Sequence, residues 1–288
     1  MRFSNPQASP LPLFLYTPSM DTTPTTQSVQ VQHIRNATVK IKYADTTFLV
    51  DPMLARKDTY PGFEGTFRSH LRNPLIELPM PAEDVIEGVD AVIVSHTHLD
   101  HWDDAAQKLL PKGIPLFAQN EADAQIIRAQ GFTDVRILGE DTVFEGVHLA
   151  KTGGQHGTDT MYSSPELAEI LGKVMGIVFQ ALDSKTVYVA GDTVWDSEVD
   201  QTLAKFNPDV IILNTGDARV TGFSDSIIMG KDDTLHAYRA APNATIIAVH
   251  MDAINHTVLS RKELREYVQQ KNIQDRVLVP ADGETLKF

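Results

Sequence analysis

Three imidazoles and one carboxylate fall within six residues in the run His96-Thr97-His98-Leu99-Asp100-His101. Neutral imidazole and carboxylate are the ligands that zinc, iron and manganese accept. Two such cations sharing one water lower its pKa from near 16 towards about 7, so hydroxide exists at neutral pH without a strong side-chain base. That hydroxide attacks an electrophilic carbonyl or phosphorus while a cation stabilises the developing oxyanion. Three further ligand-capable residues stand in similar settings: His156 in Gly153-Gly154-Gln155-His156-Gly157, Asp192 in Ala190-Gly191-Asp192-Thr193, and His250 after Ile246-Ile247-Ala248-Val249. A surface histidine cluster would sit among scattered polar neighbours, whereas each of these follows an apolar run or lies in a glycine-rich turn that lets backbone approach closely.

Such residues need elements that carry distant stretches to one place. Residues 91–94, Ala-Val-Ile-Val, read as a buried strand ending just before the cluster. His96 and His98 then project to one side because strand side chains alternate. Asp100 and His101 fall where the chain turns into a helix expected over 103–110 and stopped by Pro111-Lys112-Gly113. Strands are expected at 29–34, 37–43, 46–50, 115–118, 135–138, 143–150, 174–181, 186–190, 210–213, 245–249 and 276–279, with helices over 121–130 and 259–270. Asp51-Pro52 ends the third strand, and 53–80 is irregular. Strand ends of one α/β sheet converge on one edge, where such proteins place their sites. The mixture of strands and helices throughout predicts an α/β sandwich in one domain.

The bulk composition fits that reading. The chain has 288 residues, 42% hydrophobic and 22% charged, which is ordinary for a globular protein. With 25 basic and 38 acidic residues the net charge is −13, which repels phosphate backbones and argues against nucleic-acid partners. The chain contains no cysteine, which excludes disulfides and thiolate ligands and is compatible with the cytoplasm, the expected location. No apolar run reaches the roughly 18 residues of a membrane span. Residues 1–28 are expected to form a flexible extension: Pro10, Pro12 and Pro18 interrupt its one apolar patch. A degenerate export signal is the minority reading, and Met20 is an alternative start.

The run His96 to His101 resembles the His-x-His-x-Asp-His signature of the metallo-β-lactamase superfamily, and His156, Asp192 and His250 match its later ligands in order and context. Asp51 matches the family's early aspartate at a strand end. The resemblance covers roughly residues 30–288. Within the superfamily, Gly191-Asp192-Thr193 and Val249-His250-Met251-Asp252 are similar to the group holding the L-ascorbate-6-phosphate lactonases and the N-acyl-phosphatidylethanolamine phospholipase D type enzymes.

The resemblance implies an α/β fold, a four-layer αββα sandwich of two mixed sheets flanked by helices, with residues 29–288 as the hydrolase domain. It implies two divalent cations, zinc first with manganese or iron as alternatives. His96, His98 and His156 would hold one, Asp100, His101 and His250 the other, with Asp192 bridging and Asp51 fixing a ligand by hydrogen bonds. Asp100 would also orient the hydroxide. His256 is the first candidate proton donor to the leaving group and His236 the second, while His33, His70 and His148 carry no expected role. Arg68 and Arg72, with Tyr60, Phe63 and Phe67, suggest a lid that pairs an anionic substrate, and residues 161–170 suggest the opposite wall. Trp102 is expected to pack in the core. The expected reaction is hydrolysis of an ester, lactone or phosphodiester of a small, uncharged or anionic molecule, with homo-oligomerisation left open. A non-catalytic metal-binding sensor, a thioester hydrolase and a single-iron persulfide dioxygenase share the motif and remain as alternatives. Glutamate would stand at position 98 in a flavo-diiron oxidoreductase, so oxygen reduction is disfavoured.

Overall fold

Alternating β-branched and polar residues form β1 (Gln30–Arg35), β2 (Thr38–Tyr43) and β3 (Thr46–Val50), an antiparallel meander. The computed structural model to which they belong describes residues 28–288; the expectations for the N-terminal extension fall outside it up to residue 27. The chain then runs irregularly to α1 (Ala82–Ile86) and enters β4 (Ala91–Val94), which pairs parallel with β3. Then follow α2 (Asp104–Leu109), β5 (Leu116–Ala118), α3 (Glu121–Ala129) and β6 (Val135–Ile137), the strands adding in parallel. With β14 (Thr285–Lys287) on β1, the first sheet has seven strands in the order β14-β1-β2-β3-β4-β5-β6.

The second sheet is built the same way. It contains β7 (Thr142–Phe144), β8 (Val147–Thr152), β9 (Gly176–Gln180), β10 (Val187–Val189), β11 (Val210–Asn214), β12 (Thr245–Val249) and β13 (Val277–Leu278), in reverse order from β13 to β7. β7 to β10 are antiparallel, and β10 to β13 are parallel. Between and beside them lie α4 (Asp159–Tyr162), α5 (Pro165–Leu171), α6 (Ser197–Phe206), α7 (Lys231–Ala240) and α8 (Arg261–Lys271).

Alternation along the strands decides the layers. Ile41, Phe48, Ile93 and Phe117 of one sheet meet Ile177, Phe179, Ile212 and Val249 of the other. The opposite faces are covered by helices: Val92, Val94 and Leu116 pack with Ala106 and Ile127, while Ile211, Leu213 and Ile246 pack with Val199, Leu264 and Val268. β4 is buried on both faces, which is why it reads as an unbroken apolar run. The architecture is therefore an αββα sandwich of two mixed sheets.

Residues 143–150 form two strands where the sequence suggests one. Glu145 and Gly146 both take positive φ, at 47° and 79°. Two consecutive left-handed residues make the tight turn whose twist matches a hairpin. Ser260 caps α8 by accepting from the Glu263 amide, so this helix starts at Arg261 instead of residue 259.

Candidate metal centre and its pocket

Parallel strands present their carboxyl ends along one edge. β3 there delivers Asp51, β4 delivers Ser95 to His98, β10 delivers Asp192 and β12 delivers His250, while β8 leads through two glycines to His156. Two other glycines make the crowding possible. Gly191 takes φ +71°, and a methyl group there would overlap the Met175 carbonyl; at Gly216 it would overlap the carbonyl of His250. His250 is itself left-handed at φ 66°, a conformation costing about 1–3 kcal/mol in a residue with a side chain. Its amide donates to the Asn36 carbonyl at 2.9 Å, and Asn36 Nδ2 donates to the Asp100 carbonyl at 3.0 Å. Asn36 thus ties two site residues together.

Two donor groups result. His96, His98 and His156 form one, and Asp100, His101, Asp192 and His250 the other, with the candidate ligand atoms of each within 4.8 Å of one another. Within the second, His101 Nε2 lies 3.0 Å from Asp192 Oδ2 and 3.2 Å from His250 Nε2, and His250 Nε2 lies 3.4 Å from Asp100 Oδ2. Asp192 Oδ2 is also 3.7 Å from His156 Nε2, so it stands between the groups.

The surrounding acceptors assign the ring protons. His156 Nδ1 donates to the Ile227 carbonyl at 2.8 Å, which leaves its Nε2 lone pair facing inward. His98 Nε2 donates to the Ile170 carbonyl at 2.8 Å and keeps Nδ1 free. Ser95 Oγ donates to Asp51 Oδ2 at 2.7 Å and so accepts from His96 Nδ1 at 3.1 Å. His96 Nε2 is then left buried without a hydrogen-bond partner among the described residues. Asn214 Nδ2 donates to Asp192 Oδ1 at 2.7 Å and leaves Oδ2 to the cluster.

The electrostatics divide along the same line. Burial pushes His96 well below the usual imidazole range, with neighbouring imidazoles adding to it, and brings His156 down to about 4. Both are neutral at pH 7, as metal ligation requires. In the second group burial opposes charge, yet Asp192, Asp100 and Asp51 hold His101 well above its ordinary value, and Asp192 and Asp100 raise His250 to about 9. Asp100 and Asp192 are held low by the same imidazoles against their burial. Two buried carboxylates therefore draw positive charge into this group. A divalent cation supplies it without protons, and an ion at the histidine group would satisfy the orphaned His96 nitrogen. The donor set fits two such cations.

A cavity of about 220 Å³ opens over His98, Asp100 and His156. Its other walls are mainly apolar: Phe63, Leu99, Ile170, Leu171, Val220 and Ile227, with Thr66, His256 and the carboxylate of Glu64 as polar groups. No lysine or arginine lines it among the described residues. The arginines expected to face an anion are used elsewhere. Arg68 donates to the carbonyls of Asn255 and Thr257, and Arg72 to those of Asp58 and Thr59. The expected lid is thus a wall fastened by its arginines. Of residues 161–170, Ile170 lines the cavity, with Leu171 beside it.

His256 is in this pocket, buried, with its ring edge-on to Phe63 at 5.2 Å. Burial and the nearby His250 lower it to about 4 against the pull of Asp100, so it is a neutral imidazole at pH 7. His236 lies on the exposed face of α7, stacked on Trp195 at 4.3 Å, outside the pocket lining. Trp102 packs on Phe132 and donates to Gln130 Oε1 at 2.8 Å. Asn36, Ser95, Asn214 and Asn255 support the site and carried no signal in the sequence beyond their nearness to strand ends or to His250.

Known proteins are similar in sequence and fold. The Beta-lactamase superfamily domain model matches residues 46–251. The UPF0173 protein YddR of Bacillus subtilis (strain 168) is 47% identical over 260 residues, covering 90% of this chain and 100% of that protein. A possible metal-dependent hydrolase from Veillonella parvula DSM 2008 superposes with a TM-score of 0.88 at 54% identity, over 89% of this chain and 98% of the other. An isothiocyanate hydrolase from Delia radicum gut bacteria superposes with a TM-score of 0.87 at 48% identity, over 90% and 99%. Sequence, topology and donor geometry agree, and the chain belongs to the metallo-β-lactamase superfamily.

Proposed function

We propose that this metal-dependent hydrolase holds two divalent cations, zinc first with manganese or iron as alternatives, and adds water to a small, uncharged, apolar electrophile. The observation that carries the reading is the pocket itself. It ends on His98, Asp100 and His156, is walled by aliphatic and aromatic side chains, and has Glu64 and Asp100 but no lysine or arginine in its lining. An isothiocyanate, R–N=C=S, meets those walls well, and the solved isothiocyanate hydrolase that is 48% identical supports that class. Neutral esters and lactones of similar size meet the same walls. Beyond the cations those walls offer no side chain to pair a phosphodiester or other anion, which departs from the anionic substrate suggested by Arg68 and Arg72.

When bound, the cations would lower the pKa of water towards about 7 and polarise the electrophile. His96, His98 and His156 would hold one and Asp100, His101 and His250 the other, with Asp192 as a further ligand. Asp100, which lines the pocket floor, orients the lone pair of the attacking water and carries the proton it sheds on to the substrate nitrogen. The water oxygen bonds to the central carbon, and the N=C π electrons pass to nitrogen, which takes a proton. The thiocarbamic acid so formed passes its O–H proton to nitrogen as its C–N bond breaks, giving the amine R–NH2 and carbonyl sulfide. His256 is neutral above about pH 4. Its role is therefore a hydrogen bond to the reacting nitrogen or sulfur, in place of the proton donation to the leaving group expected from the sequence. Among the described residues no helix is long and apolar enough to cross a membrane, and the lack of cysteine suits the cytoplasm.

The test is turnover by protein loaded with zinc, manganese or iron. Benzyl isothiocyanate, p-nitrophenyl acetate, a neutral lactone and bis-p-nitrophenyl phosphate are compared, with amine release measured for the first. The isothiocyanate is expected to turn over, with the phosphodiester ~10-fold or more lower in kcat/KM because the walls beyond the cations are apolar and carry the Glu64 carboxylate. Fully loaded protein inert towards all four would overturn the hydrolase reading. Preference for the phosphodiester would overturn the argument from the pocket walls.

A further inference from the structure

One side chain holds the 63–73 loop against the segment that follows β12. Asn255 is fully buried. Its Nδ2 donates to Thr66 Oγ1 at 2.9 Å and to the Phe67 carbonyl at 2.7 Å. Its Oδ1 accepts from the Phe63 amide at 3.1 Å and from Asn73 Nδ2 at 2.8 Å. Both donor positions and both acceptor positions of the amide are thus taken by the loop. The backbone adds to the clamp: the Asn255 amide donates to Asn73 Oδ1 at 2.9 Å, and its carbonyl accepts from Arg68 Nε at 3.0 Å.

Among uncharged side chains of this length, only asparagine presents two donors and two acceptors in one plane. Aspartate cannot donate, and glutamine is one methylene too long. The clamp also explains why Arg68 is absent from the pocket. What it holds in place is pocket wall: Phe63 and Thr66 come from the loop, and His256 is the next residue in the chain. The Phe63 and His256 rings meet edge-on across the junction.

We propose that Asn255 is a positioning residue that sets the width of the pocket and so selects the organic group of the substrate, acting through Phe63 and Thr66. The substrate class rests on the reading above; the positioning does not.

The test compares benzyl with methyl isothiocyanate in metal-loaded wild type, Asn255→Asp and Thr66→Val. In Asn255→Asp a carboxylate oxygen faces two acceptors. KM for the benzyl compound is expected to rise about tenfold, the equivalent of one lost buried hydrogen bond. The methyl group is too short to need that wall, so its kinetic constants and the metal content are expected to stay within about twofold, as expected of changes that miss the reacting atoms. Thr66→Val keeps the shape, removes one anchor and should move KM in the same direction, which decides the matter if Asn255→Asp does not fold. An equal fall in kcat for both substrates, loss of metal, or an unchanged benzyl KM in both variants would overturn the proposal.

Trypsin supplies a readout independent of substrate. Cleavage after Arg68 and Arg72 is expected to be about tenfold faster in metal-retaining Asn255→Asp, since local opening sets that rate. Equal cleavage rates would overturn the clamp. Wild type that turns over no isothiocyanate while the variant is cut faster would sink only the substrate class.

Discussion

Asp51 Oδ2 lies 2.9 Å from His101 Nδ1, and the same oxygen accepts from Ser95 Oγ, whose lone pair receives His96 Nδ1. One carboxylate therefore fixes the ring protons of a histidine in each donor group. Both rings are turned so that Nε2 carries the lone pair at the centre. Asn at this position would place an amide donor or a weaker acceptor against His101. Asp51→Asn is expected to lower metal affinity by about 10–100-fold, the usual effect of losing such an outer partner. Equilibrium dialysis against a graded chelator reads it, and wild-type retention would contradict the role given to Asp51.

Removing the metal should change how stability depends on pH. In the cation-free protein His250 is raised to about 9, above the roughly 6.5 of an unfolded chain. A raised folded pKa contributes stability that is fully present below pH 6.5 and lost as pH climbs through 9. The loss is about 3 kcal/mol at most for this one group. The urea midpoint of chelated protein is expected to fall between pH 6.5 and 9, whereas metal-loaded protein, with His250 ligated and neutral, stays nearly flat. Parallel profiles for the two forms would show that His250 does not ligate.

Asp100 and His256 line one pocket and should fail differently. Asp100→Asn leaves its backbone bond to Asn36 but removes the proton acceptor, so kcat is expected to fall by ~100-fold or more. Metal content is measured in parallel to separate chemistry from ligation. His256→Gln keeps hydrogen-bonding capacity and is expected to cost ~10-fold, with no change in the pH–rate profile between 6 and 8, because the native ring does not titrate there. A profile whose limb vanishes in His256→Gln would restore the role of proton donor.

The clearest signals in the sequence were those that two constraints imposed together. His96 to His101 stands out because metal chemistry fixes residue type while the strand fixes spacing. Asp192 and His250 stand out because β10 and β12 must be apolar on both faces up to the sheet edge. Asn255 gave no such signal: two of its four side-chain partners are backbone atoms, which place no demand on residue type, and the other two, Thr66 and Asn73, lie more than 180 residues away. Arg68 misled for the same reason, since a guanidinium satisfied by carbonyls looks, in one dimension, like one awaiting an anion. The β7–β8 hairpin was hidden because Glu145 lacks the usual asparagine or aspartate turn signal. α4 and α5 are too short to show a helical period.

His33 supports the site from below, and its titration should be visible in folding. Its buried ring sits with Nε2 3.0 Å from the Asn36 carbonyl and Nδ1 3.7 Å from Asp282 Oδ1. Burial pushes its pKa below the ordinary value, with Asp282 opposing and Arg261 adding to the fall. Since the folded pKa lies under the unfolded one, the unfolded chain takes the proton first. The stability of the neutral ring is present above about pH 6.5 and is lost as pH drops towards the folded value, with a slope of at most ~1.4 kcal/mol per pH unit. The urea midpoint of metal-loaded wild type should therefore fall more steeply from pH 7 to 5 than that of His33→Gln, which has nothing to titrate. Slopes are compared because the substitution shifts the intercept through its own packing cost. Identical slopes would mean that Asp282 cancels the effect of burial, and a shallower wild-type slope that it outweighs burial.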